Sequence, residues 1–308
     1  MTVRGTEEAR EGPRVLDGGL ATRLEAYGCD LDDPLWSARL LVQDPGVIRR
    51  AHRDFFEAGA DVAIAAGYQA SVPALTARGL TRAEAARVVA SSVELARAER
   101  DAHGAGLVAA GVGPYGAFLA DGSEYTGAYD LDEEGLYRWH RERWRILADS
   151  GADLMACETV PSLPEARALR RLAEETPGAR TWVSLSCRDG SRISDGSPLR
   201  EVVAELAPAY AEGSLLAVGV NCVAPHHVPA LVRTIAEAGV DAVAYPNSGE
   251  VWDAASRRWT GTSEPAEFGA AAVEWWRAGA AFVGGCCRTG PEHIASVRTH
   301  LDQAVGSS

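Results

Sequence analysis

The sequence has 308 residues, 46% hydrophobic and 24% charged, the balance of a globular chain with a substantial core rather than a disordered one. No run of 18 apolar residues occurs and the charged opening stretch lacks an apolar h-region, so neither a membrane helix nor a secretory leader is expected and the cytoplasm is the expected location. The formal net charge of −13 argues against nucleic acid and membrane surfaces as partners, because both are held by clustered basic groups. All 30 basic residues are arginine. The absence of lysine removes a Schiff-base nucleophile, a covalent pyridoxal linkage and the lysine of a phosphate-binding P-loop.

Eight short apolar runs follow one another: Val15-Leu16, then 61–66, 106–112, 152–157, 181–186, 215–220, 241–245 and 280–283. Several are continuous rather than alternating, as in parallel strands covered on both faces. Helix starts lie between them at Asp44-Pro45, Thr81-x-x-Glu84, Ser162-x-x-Glu165, Ser197-Pro198 and Thr289-Gly290-Pro291. Val88, Val89, Ser92, Leu95 and Ala96 predict the buried stripe of the second of these helices. Four similar segments carry Gly59, Gly151, Gly239 and Gly279, each suited to ending a helix before a strand begins. Their spacing fits multiples of a unit of roughly 40–46 residues, enough for one strand and one helix. Eight such units predict a single (β/α)8 barrel of the TIM type.

The doubly wound open sheet is the alternative, although no Gly-x-Gly-x-x-Gly follows the first strand to support its dinucleotide-binding form. The pattern divides the chain into a flexible segment 1–12, a barrel domain 13–302 and a tail 303–308. Two long segments, 113–130 and 247–262, follow strands and belong at the C-terminal face, where barrel active sites are built.

Six cysteines stand at positions 29, 157, 187, 222, 286 and 287, and are expected to be thiols in a reducing compartment. Cys222 follows the sixth apolar run and Cys286-Cys287 the eighth, so a barrel brings them to one mouth. Three thiolates can hold Zn2+ at about 2.3 Å per sulfur and leave a fourth tetrahedral position open, the pattern of a catalytic site. Such a site carries about one net negative charge, which weakens it as a Lewis acid toward carbonyls but still strips the proton from a bound thiol. A free thiol of pKa about 8.5 is only roughly 3% thiolate at pH 7. Alkyl transfer to a thiol is the chemistry that fits.

Other readings of the same residues stay open. Cys286 and Cys287 can form a vicinal disulfide in a redox switch, or all the cysteines can be unrelated buried thiols, as Cys29, Cys157 and Cys187 are expected to be. His226 and His227 are further candidate ligands, or else solvated residues opening a helix. Asp17 and Glu158 end the first and fourth strands. They can bind the ammonium of an amino-acid substrate, with the Gly18-Gly19 amides on its carboxylate, or form a rim ion pair or cap.

Asp17-Gly18-Gly19, Gly219-Val220-Asn221-Cys222 and Gly284-Gly285-Cys286-Cys287-Arg288 resemble the zinc-dependent homocysteine S-methyltransferases. Leu35-Trp36-Ser37-Ala38, Gly113-Pro114-Tyr115-Gly116, residues 119–125, Ser194-Asp195-Gly196 and Tyr245-Pro246-Asn247-Ser248-Gly249-Glu250 are similar to the S-methylmethionine–homocysteine branch of that family. The resemblance spans residues 14–300. It implies a (β/α)8 barrel, zinc on Cys222, Cys286 and Cys287, L-homocysteine bound through its sulfur, and its ammonium held by Asp17 and Glu158. It implies S-methyl-L-methionine or S-adenosylmethionine as donor. It also implies Asn247 as the oxygen on zinc before substrate arrives, whereas the tyrosine that some relatives use falls near Gln69 and is not retained. Trp36 and Tyr125 are expected to meet the sulfonium donor by cation–π attraction. The rivals are a redox or metal-sensing module without turnover, and a barrel methyltransferase using a selenol acceptor or a folate donor.

Overall fold

Gly59, Gly151, Gly239 and Gly279 adopt φ of 96°, 79°, 74° and 119°, left-handed values that an L side chain resists, and each turns a helix end into a strand. The computed structural model describes residues 12–33, 35–253, 258–260 and 264–307. Its strands are β1 (Arg14–Val15), β2 (Val62–Ile64), β3 (Leu107–Val112), β4 (Leu154–Val160), β5 (Thr181–Leu185), β6 (Leu215–Asn221), β7 (Ala242–Tyr245) and β8 (Ala280–Val283). All eight pair in parallel in the order β1-β8-β7-β6-β5-β4-β3-β2.

The two ends of this sheet meet, as a barrel requires and an open sheet does not. Leu16 bridges Val62 in parallel, and the Asp17 N–H donates to the Val62 carbonyl at 3.0 Å. Two carboxylates reinforce the seam: Asp17 Oδ2 accepts from the Ile64 N–H at 2.8 Å and Asp61 Oδ2 from the Val15 N–H at 2.8 Å. The expected (β/α)8 barrel is the fold. β4 runs beyond the expected 157, because its apolar pattern continues past one acidic residue. Glu158 therefore lies inside the strand.

Alternation along the strands sorts side chains into two cores. Leu16, Val62, Ala109, Leu154, Ala156, Trp182, Ala217, Val243, Tyr245 and Phe282 fill the barrel interior, with Trp182 Nε1 donating to the Tyr245 hydroxyl at 3.3 Å. Cys157 belongs to the outer core between strands and helices, and Glu158 falls in phase with Leu154 and Ala156.

The helices start where the sequence predicts, with differences of detail. Asp44 caps helix Pro45–Glu57 through Val47 N, and Thr81 and Glu84 close a reciprocal box at helix Arg82–His103. The buried stripe of the latter is Ala85, Val89, Ser92, Val93, Ala96 and Glu99, with Val88 and Leu95 only partly covered. Glu99 is buried because Arg49 and Arg53 from the neighbouring helix meet its two oxygens at 2.6 and 2.8 Å. The segment 113–130 folds into two short turns, Tyr115–Leu119 and Ser123–Tyr125, and an antiparallel hairpin pairs Val251–Asp253 with Arg258–Thr260. The last helix, Pro291–Val305, continues into the segment read as a tail, and residues 1–11 lie outside the described residues. No helix among the described residues is long and apolar enough to cross a membrane.

Ser162 and Glu165 do not close the expected capping box. Ser162 Oγ accepts from the Glu165 N–H at 3.4 Å, but the Glu165 carboxylate turns inward, accepting from Tyr115 N at 2.6 Å and pairing with His140 Nε2 at 2.8 Å. His140 Nδ1 receives Arg143 Nη2 at 3.2 Å, so Nε2 carries the proton and the imidazole is neutral, in keeping with burial pushing its pKa down. Arg143 in turn donates to the carbonyls of Gly113 and Tyr68, the residues leaving β3 and β2. This buried relay fastens two loops of the barrel mouth. Glu165→Ala leaves His140 Nε2 and Tyr115 N without their acceptor and removes the carboxylate charge near the buried Arg143, and is expected to cost about 3 kcal/mol in urea unfolding.

Candidate active site

The turn after β8 needs two residues without side chains. A Cβ on Gly285 would lie 2.3 Å from Thr289 Oγ1, and one on Gly19 would lie 2.5 Å from the Cys286 carbonyl oxygen. With those gaps closed, backbone hydrogen bonds fix the cysteine pair from both sides: Gly285 N donates to Asp17 O at 3.0 Å, Cys286 N to Pro246 O at 2.8 Å, and Ser248 N to Cys287 O at 3.1 Å. Cys222 follows β6 in a left-handed conformation, φ 52°. The three sulfurs lie within 4.8 Å of one another, with Cys222 Sγ and Cys287 Sγ 3.7 Å apart. Two sulfurs on one tetrahedral ion at about 2.3 Å are separated by about 3.8 Å.

The charge state supports a metal centre. Hydrogen bonds from Cys286 and Cys287 hold the Cys222 thiol well below its ordinary pKa, and the resulting thiolate beside them holds those two well above theirs. A bound divalent cation removes that mutual repulsion and lets all three ionise. Asn247 is a candidate fourth donor. Its side chain reaches Cys222, while its Oδ1 is buried with no partner among the described residues. Three soft sulfurs beside one unpartnered amide oxygen fit a thiophilic divalent metal.

The other cysteines and the histidines stay outside this group. All six cysteines are free, Cys157 and Cys187 have thiols pushed up by burial, and neither they nor Cys29 join the cluster. His226 and His227 lie against each other in the short helix Pro225–His227, ring centroids 4.0 Å apart and planes tilted by 54°, and do not join it either.

Asp17 and Glu158 converge on the same mouth. Asp17 is 2% exposed, and its pKa is raised well above the usual carboxyl range, first by burial and then by Glu158. Glu158 is pushed up to about 8, first by burial and then by the Cys222 thiolate. Each is therefore a buried carboxyl group whose ionisation a nearby cation would favour. The Gly18-Gly19 pair is only half available, because the Gly19 N–H is already committed to Thr289 O at 2.9 Å and Thr289 Oγ1 at 3.1 Å.

The ring of Tyr125 is half exposed, with its hydroxyl 3.6 Å from Cys222 Sγ. A tyrosine oxygen is therefore present at the thiol cluster, but it comes from the turn after β3. Gln69 instead donates to the Ala117 carbonyl at 3.3 Å and braces that turn. Trp36 lies on the turn Trp36–Arg39, and its side chain lies outside the described residues.

Three residues near the site escape sequence reasoning. Asn221 is fully buried, and its Oδ1 accepts from the Thr159 N–H at 2.7 Å while its Nδ2 donates to Thr159 Oγ1 at 2.8 Å. Thr159 is itself left-handed at φ 58°, a strained setting for a β-branched residue that costs about 1–3 kcal/mol. Tyr68, just after β2, meets Thr159 and lies within electrostatic reach of Cys222 and Glu158. A polar residue ending an apolar strand was the available signal for Asn221; Tyr68 had none beyond its position.

Comparison with known proteins agrees with this geometry. A family model described as homocysteine S-methyltransferase matches residues 14–301. The Bacillus subtilis homocysteine S-methyltransferase YbgG is 42% identical over 294 residues, covering 92% of each chain. The Escherichia coli homocysteine S-methyltransferase is 46% identical over 293 residues, covering 92% of this chain and 94% of its own. The metallated crystal form of the Escherichia coli homocysteine methyltransferase MmuM superposes with a TM-score of 0.83 at 43% identity, covering 94% of this chain and 96% of that one.

The protein is expected to bind a single thiophilic divalent ion per chain in metal analysis. Cys222→Ala is expected to weaken that binding by more than about 100-fold in chelator competition, whereas Cys29→Ala leaves it unchanged.

Proposed function

The chain belongs to the homocysteine S-methyltransferase family, and from that premise we propose that it transfers a methyl group from a sulfonium donor, S-methyl-L-methionine or S-adenosylmethionine, to L-homocysteine, with zinc as its resident metal. The observation that carries this reading is the meeting of three sulfurs within 4.8 Å at the mouth where two buried carboxyl groups also lie. The domain responsible is residues 13–302, with the last helix carrying it on to Val305. Six free thiols support a reducing, cytoplasmic setting.

Cys222, Cys286 and Cys287 would hold the metal, with Asn247 Oδ1 as the oxygen ligand available before substrate. Zinc bound there would lower the pKa of an incoming thiol so that it reacts as a thiolate at neutral pH. Glu158 and Asp17 take the substrate ammonium, whose charge replaces the proton that burial otherwise keeps on Glu158. The Gly18 N–H, free of the Thr289 contacts that occupy Gly19, faces the substrate carboxylate. These contacts fix the amino-acid end, so the sulfur has one orientation toward the donor. Tyr125 and Trp36 attract the sulfonium cation, Tyr125 from its place beside Cys222. In the transfer the sulfonium S–CH3 bond breaks with its electron pair left on the departing sulfur. The new bond forms on the homocysteine sulfur, giving methionine, and no proton moves in that step.

The decisive assay follows methionine formation from homocysteine with each donor in turn. Cys286→Ala is expected to lose metal and turnover together, and turnover by a metal-free variant overturns the mechanism. A redox or metal-sensing role without catalysis predicts no methionine with any donor.

Glu158 gives a second prediction. Its raised pKa means that the folded protein holds a proton that the unfolded chain releases between pH 4.5 and about 8, so stability falls as pH rises through that window. Glu158→Gln removes this dependence. The melting temperature of the metal-free variant is expected to fall less than that of wild type between pH 5 and pH 8.5, while its KM for homocysteine rises about tenfold or more.

A further inference from the structure

β4 and β6 are not neighbours; β5 lies between them in the barrel. Asn221 nevertheless joins their ends. From the last position of β6 it reaches over the end of β5 and uses both halves of its amide on one residue of β4, accepting from Thr159 N at 2.7 Å and donating to Thr159 Oγ1 at 2.8 Å. Asn221 is 0% and Thr159 3% exposed, so neither bond competes with water. The residues adjoining this bridge carry the chemistry. Glu158 immediately precedes Thr159, Cys222 immediately follows Asn221, and both Thr159 and Cys222 stand in left-handed backbone, at φ 58° and 52°. The threonine hydroxyl also meets Tyr68, which ties in the loop after β2.

One hydrogen bond would satisfy a buried strand end. Two, made with opposite polarity by one planar amide, also fix the angle between the partners. They oppose the relaxation of two strained turns that would swing Cys222 Sγ away from Cys286 and Cys287 and the Glu158 carboxyl away from the mouth. The restraint acts on both at once, because the same bonds hold both turns.

We infer that Asn221 and Thr159 are positioning residues that hold the Cys222 sulfur and the Glu158 carboxyl at a fixed separation, so that metal binding and recognition of the amino-acid end of the acceptor are coupled through this bridge. The inference rests on the assignment of Cys222 to the metal and Glu158 to the ammonium. It concerns the acceptor half of the site; on the donor side, Tyr125 adjoins Cys222 Sγ and makes no hydrogen bond to Asn221 or Thr159 among those of the described residues.

The test uses the full-length protein as Asn221→Ala, Thr159→Val, Thr159→Ser and the Asn221→Ala/Thr159→Val double variant. Zinc affinity is measured by chelator competition, and KM is measured separately for homocysteine and for the donor. Asn221→Ala and Thr159→Val are each expected to weaken zinc binding about 10- to 100-fold and to raise the KM for homocysteine, with the donor KM unchanged. The double variant is expected to be no worse than the poorer single variant, because one shared interaction is lost. Thr159→Ser keeps the hydroxyl and is expected to hold zinc within about twofold of wild type.

Unchanged zinc affinity in Thr159→Val overturns the inference, as do additive losses in the double variant or an equal rise in both KM values. Thr159→Val is nearly isosteric, so it decides the matter even where Asn221→Ala fails to fold. A wild type that binds no zinc, or forms no methionine, sinks the functional reading itself. A normal wild type with unaffected variants sinks only the bridge.

Discussion

The seam between β1 and β2 is the constraint on which the site depends. β1 has only two residues in the ladder, so the barrel closes on short backbone pairing, the Leu16–Val62 bridge with the Asp17 N–H on Val62 O and the Asp61 N–H on Val15 O, reinforced by the side-chain carboxyls of Asp17 and Asp61 on facing amides. Closure brings β2 against β1 and makes the strand ends into one mouth, with β8 paired to the other side of β1. The turn carrying Cys286 and Cys287 then hydrogen-bonds to Asp17 O and crowds Gly19. Asp17 serves the closure of the barrel and also stands beside Glu158 at the mouth. An aspartate in that place is buried at a cost, and the hydrogen bond from Ile64 offsets part of it.

Electrostatics at the mouth follow one rule. Asp17, Glu158 and three thiols gather in a poorly solvated space, while the buried Arg143 below is turned toward the carbonyls of Tyr68 and Gly113. Burial keeps the carboxyls protonated, and the Cys222 thiolate keeps the Cys286 and Cys287 thiols so, until cations arrive. Each ligand of the proposed reaction brings positive charge: the metal, the ammonium of the acceptor and the sulfonium of the donor. An empty site that is costly to ionise becomes favourable when those charges are supplied together, which links the binding of each to the others.

Rigidity is concentrated where geometry matters. Three of the four non-glycine residues with positive φ among the described residues, Thr159, Cys222 and Arg288, stand at the ends of β4, β6 and the turn after β8. Each is held by specific bonds: Thr159 by Asn221, Cys222 by its own N–H on Tyr245 O, and Arg288 by its N–H on Thr22 Oγ1 and its guanidinium on Glu250. Strain kept in place by surrounding packing is what fixes a sulfur to within the tolerance of a metal.

Much of this was legible in the residues. The left-handed glycines, the continuous apolar runs and the capping residues are local signals, and local physics placed all eight strands and most helix starts. The thiols at 222, 286 and 287 and the carboxyls at 17 and 158 were legible as a group that meets at one mouth, because strand ends of a barrel make such distant residues neighbours. The rest depended on contacts across the fold. Glu165 reads as a capping residue until His140 and Tyr115 claim its carboxylate. Gly19 reads as an amide for substrate until Thr289 occupies it. Tyr125 sits within reach of Cys222 because the turn after β3 folds over the mouth, and Asn221 has a partner only because β4 and β6 end at the same height. Local residue patterns settle which elements form and which groups can react. The hydrogen-bonding partner of each polar side chain depends on distances between segments far apart in the chain, so it emerges only when the barrel has closed.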